Sequence, residues 1–182
     1  YDTETWDVIN SYFDINRNYL TKHHIESYND FVLNKIPQTF KQYNPQTIFK
    51  EYVEELKDYK YTTKIYYGGV QGNEIFIGKP IIYKKEGGKD VKKQMYPNEA
   101  RLRNLTYASN IFCNIEIHYQ VLDEEGNPHT TSKRFEKVNL GKIPVMLDSC
   151  LCVLSSGDFS LKKEMGECPY DQGGYFIIEG AE

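Results

Sequence analysis

Over the first third of the chain the apolar residues recur at helical spacing, and from Tyr61 onward they alternate. Trp6, Ile9 and Phe13 predict a first helix, with Asp2 and Thr3 as its caps. Ile25, Tyr28, Phe31, Val32 and Ile36 share one broad face of a second helix running from His24 to Ile36. Pro37 is expected to end it, because the residue before a proline is steered out of the helical region. Asn44 and Pro45, at cap and first position, predict a third helix with the stripe Ile48, Phe49, Tyr52, Val53 and Leu56. Its wet side would be Lys50, Glu51, Glu54, Glu55 and Lys57.

Strands follow. Tyr61, Thr63, Ile65 and Tyr67 lie on one side of the first, and after Gly68-Gly69 a run from Glu74 to Tyr83 holds Ile75, Ile77, Ile81 and Ile82. Gly78 and Pro80 interrupt that run, so a bulge or a passage from one sheet partner to another is expected there. Ile111 to Val121 alternates again, and Asp123 to Pro128 supplies a polar turn into Thr130–Leu140. Gly141, Pro144 and Met146 start a further apolar strand. Ser155-Ser156-Gly157-Asp158 predicts the cap of a short helix through Met165, and Tyr175–Ile178 reads as a buried strand. The pattern as a whole predicts an α+β fold: N-terminal helices followed by a mainly antiparallel sheet, with residues 1–60 mostly helical and 61–182 mostly strands with short helices.

The segment Tyr96–Phe112, YPNEARLRNLTYASNIF, joins the two halves of the pattern. Pro97 opens it where a helix accepts a proline, since its first N–H is unpaired anyway. A short helix running into a strand is expected. Arg101 and Arg103 diverge by roughly 200° on a helix, so at least one must leave the apolar face to find a carboxylate, a carbonyl or a phosphate.

Charge adds a feature that hydropathy does not show. The chain carries 22 Lys and Arg against 26 Asp and Glu, a net charge of −4. Between Lys79 and Arg103, however, eight bases meet three acids, whereas residues 104–182 hold six bases and twelve acids. The basic stretch centres on KKEGGKDVKK, read as a glycine-centred loop. Lys84, Lys85, Lys89, Lys92 and Lys93 are there the candidates for phosphate contacts, with a solvated turn as the other reading. The 16 tyrosines, with frequent Asn, Ile and Lys, are a compositional bias rather than a site.

Candidate chemistry is thin. Cys150-x-Cys152, with Cys113, Cys168 and four histidines elsewhere, lacks the second pair that structural zinc requires, and free thiols in a reducing compartment are expected. His23 and His24 read as a solvated helix start rather than a ligand pair. The acidic clusters Glu54-Glu55 and Asp123-Glu124-Glu125 fall on a helix surface and a turn tip, unlike carboxylates holding two metal ions about 4 Å apart. Gly68-Gly69 has no following Lys-Ser/Thr, and Gly173-Gly174 precedes a strand rather than a helix, so neither pair cradles phosphate. No apolar run approaches the roughly 18 residues of a membrane span, and no leader pattern is seen. A stand-alone enzyme is not expected.

Three motifs in order carry a resemblance. YPNEARLRNLTY (Tyr96–Tyr107), GKIPVML (Gly141–Leu147) and GGYFIIEGAE (Gly173–Glu182) resemble signature elements of the second-largest subunit of multisubunit DNA-dependent RNA polymerase, the counterpart of bacterial β. TWDVINSYFD and IESYNDFVLNKI extend the resemblance over nearly the whole chain, and Cys168-Pro169-Tyr170-Asp171 is closer to nuclear and large-DNA-virus forms. The resemblance implies the protrusion, a domain overhanging the polymerase cleft, here without the downstream lobe and catalytic regions. It implies DNA-directed RNA polymerase, a nucleotidyltransferase acting in transcription, as the parent activity, with this stretch inactive alone. Implied partners are the other polymerase subunits, DNA and the RNA–DNA hybrid, and initiation factors, with no membrane. Mg and Zn would sit elsewhere in the polymerase, with no cofactor and no metal ligand here. Localisation would be the nucleus or, for a viral protein, the virion or a cytoplasmic replication site. Glu99, Arg101, Arg103, Asn104, Gly173 and Gly174 are the structural signature residues on this resemblance, and Arg101, Arg103 and Asn104 are assigned mainly to internal ion pairs and hydrogen bonds that hold the helix-to-strand junction. The alternative is an independent protein-interaction module using a Tyr-rich surface and an open sheet edge.

Overall fold

The computed structural model describes residues 2–15, 18–123, 125–155 and 159–182. The side-chain caps expected at Asp2, Thr3, Ser156 and Asp158, and Glu124 of the expected turn, lie outside what it describes. The chain divides into two compact units, one formed by residues 1–31, 78–109 and 142–182, the other by residues 32–77 and 110–141.

In the first unit α1 (Asp2–Ile15) and α2 (Lys22–Asp30) precede the hairpin β4 (Ile81–Glu86) and β5 (Lys89–Gln94), then α4 (Pro97–Leu102) and α5 (Phe159–Glu164). Its core gathers around Tyr107, fully buried with Ala100, Val145, Cys152 and Ile177. The Tyr107 backbone is clasped from both sides: its N–H donates to Ile177 at 2.9 Å, and its carbonyl accepts the Val145 N–H at 2.8 Å. The Tyr107 hydroxyl accepts the Val153 N–H at 3.0 Å, and burial pushes its pKa up. Tyr175–Ile178, expected as a strand, is an extended segment held by such single bonds, including Leu147 N–H to Tyr175 at 2.9 Å, and ends in an isolated bridge between Ile178 and Ala181 rather than in a ladder.

The second unit is a five-stranded sheet in which β1 (Gln46–Val53), β2 (Asp58–Tyr67) and β6 (Ala108–Leu122) pair antiparallel in that order. β3 (Ile75–Ile77) lies beside Ile111–Cys113 of β6, and β7 (Pro128–Pro144) pairs with β6 as well. β3 and β4 enter different sheets, so the break at Gly78–Pro80 is a change of partner as expected.

Two helix expectations are corrected. Pro37 does not end a helix: a π-helical turn, Phe31–Lys35, leads straight into α3 (Ile36–Tyr43). The wider turn loosens the ladder where the proline ring would crowd a carbonyl and offers no N–H. Residues 46–53 form a strand, not a helix. Asn44 closes α3, its N–H reaching Phe40 at 3.1 Å, and its side chain does the work of a strand residue. Its Nδ2 donates to the Tyr67 carbonyl at 2.6 Å and its Oδ1 accepts the Tyr67 N–H at 2.9 Å. Cross-strand pairing with β2 and the β-branched and aromatic content of QTIFKEYV override the helical stripe.

Candidate nucleic-acid interface

The basic stretch is a regular hairpin rather than a loop. Ile81 pairs with Gln94 and the register closes at Glu86 opposite Lys89, leaving Gly87-Gly88 as a two-residue turn. Both glycines have positive φ, 60° and 79°, as a primed turn demands of its central pair, and no heavy atom lies near a built Cβ at either.

Pairing sorts the lysines between faces, because paired residues share a side and neighbours alternate. One face holds Ile82, Lys84, Glu86, Lys89, Val91 and Lys93; the other holds Ile81, Tyr83, Lys85, Asp90, Lys92 and Gln94. On the first, Ile82, Lys84 and Val91 are half-buried. Lys84 meets the Glu99 carboxylate at 2.6 Å, and Lys93 is in close contact with Glu86. Lys85, Lys89 and Lys92 are exposed and, among the described residues, form no salt bridge.

Glu99 ties the hairpin to the signature helix. α4 starts at Pro97 after an extended Tyr96, and Arg103 is its C-cap, one turn beyond Glu99. The Glu99 carboxylate therefore receives Lys84 from the hairpin and Arg103, at 3.1 Å, from its own helix. Burial works to raise its pKa, and the hydrogen bonds from Lys84 and Arg103 outweigh that, leaving it lowered.

The two signature arginines part company. Arg101 reaches inward: its Nη1 donates to both Glu167 oxygens at 3.0 and 2.8 Å, its Nε to Glu182 at 2.5 Å and its Nη2 to the Tyr175 oxygen at 2.9 Å. Tyr175 in turn donates to Asp171 at 2.5 Å. Desolvation opposes the guanidinium charge, and the bonds to Glu182 and Glu167 more than restore it, so its pKa is raised. Arg103 is half-exposed and, among the described residues, its salt bridge is with Glu99, a pair nearer the surface than that of Arg101. Asn104 adopts the left-handed conformation, φ 52°, at the first position past the Arg103 cap, where asparagine is one of the few residues at ease. The Leu105 N–H then closes onto Ala100 at 2.8 Å.

Gly173 and Gly174 also have left-handed φ, 64° and 81°. A Cβ on Gly173 would stand 2.8 Å from the Leu147 carbonyl, and one on Gly174 would stand 2.6 Å from Thr21 Cβ. Beside them the Gln172 carbonyl accepts the Thr21 hydroxyl at 2.6 Å and Asn18 Nδ2 at 2.7 Å. The pair is thus a point of close approach between chain segments. Glu167 and Asp171 were missed from sequence; Asp171 stands in the CPYD run, while Glu167, four residues before it, carries no local signal.

The cysteines and the adjacent histidines lie outside the three motifs in the sequence. Cys113 and Cys152 are buried, Cys150 and Cys168 exposed. His23 and His24 lie exposed at the start of α2, rings 4.0 Å apart. Among the described residues no helix is long and apolar enough to cross a membrane.

The three signature motifs build the arginine-bearing helix to which Lys84 pins the basic hairpin, the clasp on Tyr107 and the double-glycine turn. Residues 19–182 match the family model described as RNA polymerase beta subunit, and the chain belongs to that family. It is 38% identical over 177 residues to the DNA-directed RNA polymerase subunit Rpo2N of Methanothermobacter thermautotrophicus, covering 97% of this chain and 29% of that one. It is 34% identical to the DNA-directed RNA polymerase II subunit RPB2 of Encephalitozoon cuniculi and 31% identical to subunit 2 of the Arabidopsis thaliana enzyme. Each match covers 98% of this chain, and 14% and 15% of those relatives. The chain therefore spans less than a third of the curated relatives it matches.

Proposed function

We propose that this chain is the protrusion-type N-terminal part of the second-largest subunit of a transcribing DNA-directed RNA polymerase, and that it lines the cleft and holds nucleic acid without catalysing nucleotide addition itself. The observation that carries this reading is the ion pair between Lys84 of the hairpin and Glu99 of the signature helix. It fixes a ribbon with three exposed lysines that form no salt bridge among the described residues onto a segment that resembles the family signature. Magnesium for nucleotide addition and the family's zinc are assigned to other parts of the polymerase. Other polymerase subunits and initiation factors are the expected protein partners, with DNA and the RNA–DNA hybrid in the cleft. The nucleus fits the polymerase II relatives; a virion or cytoplasmic replication site is the counterpart for a viral polymerase.

The test is binding to a short DNA duplex and to an RNA–DNA hybrid over a salt series, for the parent chain and for a variant with Lys84, Lys85, Lys89, Lys92 and Lys93 all changed to Ala. Weak binding is expected, with a log–log salt slope that falls by about 2–3 in the variant if three lysines meet phosphates. An unchanged slope overturns the hairpin as the contact.

A second reading is favoured by one patch of the other unit. Phe49 and Tyr52, 55% and 56% exposed, pack their rings on Tyr59 at 4.8 and 5.2 Å along the edge strand β1. Aromatic clusters at an open edge are common docking surfaces for proteins. A Phe49→Ser, Tyr52→Ser variant that keeps nucleic-acid binding but no longer assembles with purified partner subunits would support it.

A further inference from the structure

We infer that the outward face of the β4–β5 hairpin takes a single strand of nucleic acid, with Tyr83 as a stacking platform for a base and Lys92 and Lys85 holding the phosphates on either side. This rests on the hairpin being the nucleic-acid contact and adds which form of nucleic acid it takes and how.

The register places Tyr83 directly opposite Lys92, with Lys85 two residues along the same strand and face. Directly opposed side chains start roughly 5 Å apart and neighbours on one strand face roughly 7 Å apart. A ring flanked at those distances by two ammonium groups matches the spacing of a base and its adjoining phosphates in an extended strand. Tyr83 is 62% exposed and, among the described residues, stacks on no other aromatic ring. On the inward face Lys84 is paired with Glu99 and Lys93 with Glu86, while Lys89, next to the turn, is exposed and forms no salt bridge among the described residues. The outward pair forms no salt bridge among the described residues.

A duplex hides the faces of its bases, so an exposed ring gains nothing from one, whereas single strands offer every base for stacking regardless of sequence. The one acid of the outward face, Asp90, stands opposite Lys85. It weakens the phosphate hold on that side, which leaves Lys92 and the ring as the main contacts.

The experiment compares a labelled oligothymidylate with a DNA duplex of the same length, on the full chain. Tyr83→Ala should weaken oligothymidylate binding about tenfold and leave duplex binding unchanged, while Tyr83→Phe keeps both. The outward double variant Lys85→Ala, Lys92→Ala should lose more single-strand affinity than the inward Lys84→Ala, Lys93→Ala. Asp90→Asn should gain severalfold. Circular dichroism confirms that each variant is folded, and substitution at so exposed a ring is not expected to disturb the fold.

If Tyr83→Ala binds oligothymidylate like the parent while the lysine variants still lose duplex affinity, the stacking inference is overturned and the hairpin remains a phosphate contact. If the inward pair matters as much as the outward pair, the assignment of faces is overturned. If the parent binds neither probe at low salt, both the inference and the reading of the hairpin fall together.

Discussion

Removing Arg101 would leave the Glu167 carboxylate, only 5% exposed, without the guanidinium that holds both of its oxygens. An uncompensated acid in that position costs roughly 3–5 kcal/mol. Arg101→Ala should therefore lower the free energy of unfolding by about that much in urea, whereas Arg103→Ala, which releases a surface i,i+4 pair, should cost about 0.5 kcal/mol or less. Equal losses would contradict the division between them. Glu99 brings a pH dependence. Its folded pKa lies below the ordinary value of 4.5, so its contribution is fully present above that value and is lost as pH falls through the lowered one. The stability gap between the parent and Glu99→Gln, followed by urea melts from neutral to acid pH, should stay constant above the ordinary carboxylate value and shrink as pH falls below it. The sequence showed that two arginines so spaced must seek different partners, but it could not say which turns inward. That choice depends on Glu167, Tyr175 and Glu182, which lie 66 to 81 residues further along the chain and arrive only with the fold.

At the level of elements, alternation was a better guide than helical periodicity. β2 and β6 stand where alternation put them, since a strand paired on both sides repeats its in-and-out pattern over many residues. The segment after Asn44 misled because a stripe at helical spacing and a short edge strand of Ile, Phe, Tyr and Val look alike over eight residues, and the partner strand decides. KKEGGKDVKK misled differently: two glycines at the centre of a lysine-rich run suggested a loop, yet they are what a two-residue hairpin turn needs. The double glycine at 173–174 makes a sharper demand. Gly174→Ala would set a Cβ 2.6 Å from Thr21 Cβ in a backbone conformation that side chains resist, and a loss of roughly 2–4 kcal/mol is expected in thermal or urea unfolding. A loss below 1 kcal/mol would mean that the turn relaxes freely.

On the scale of the molecule, the two units are interleaved, and the chain passes between them at residues 31/32, 77/78, 109/110 and 141/142. No composition shift marks these crossings, so the sequence read as one domain. The second crossing falls at Gly78, already marked as a change of sheet partner, but a partner change does not by itself reveal a separate unit. Ile77 lies opposite Ile111 in the antiparallel pair of β3 and β6. Joining those two residues through Asn-Gly in place of residues 78–110, within a chain limited to residues 32–141, should therefore give a cooperative, strand-rich unit by circular dichroism and thermal melting. A chain that melts without a transition would show that the sheet depends on the other unit. The partition has a mechanical consequence too. The first and last segments of the chain both belong to one unit, so tension applied to residues near the two ends would be borne there, through the clasp on Tyr107 and the double-glycine turn, while the sheet stays slack. In a pulling experiment the sheet should give way only after that unit has ruptured, at a rate set by its own barrier to unfolding.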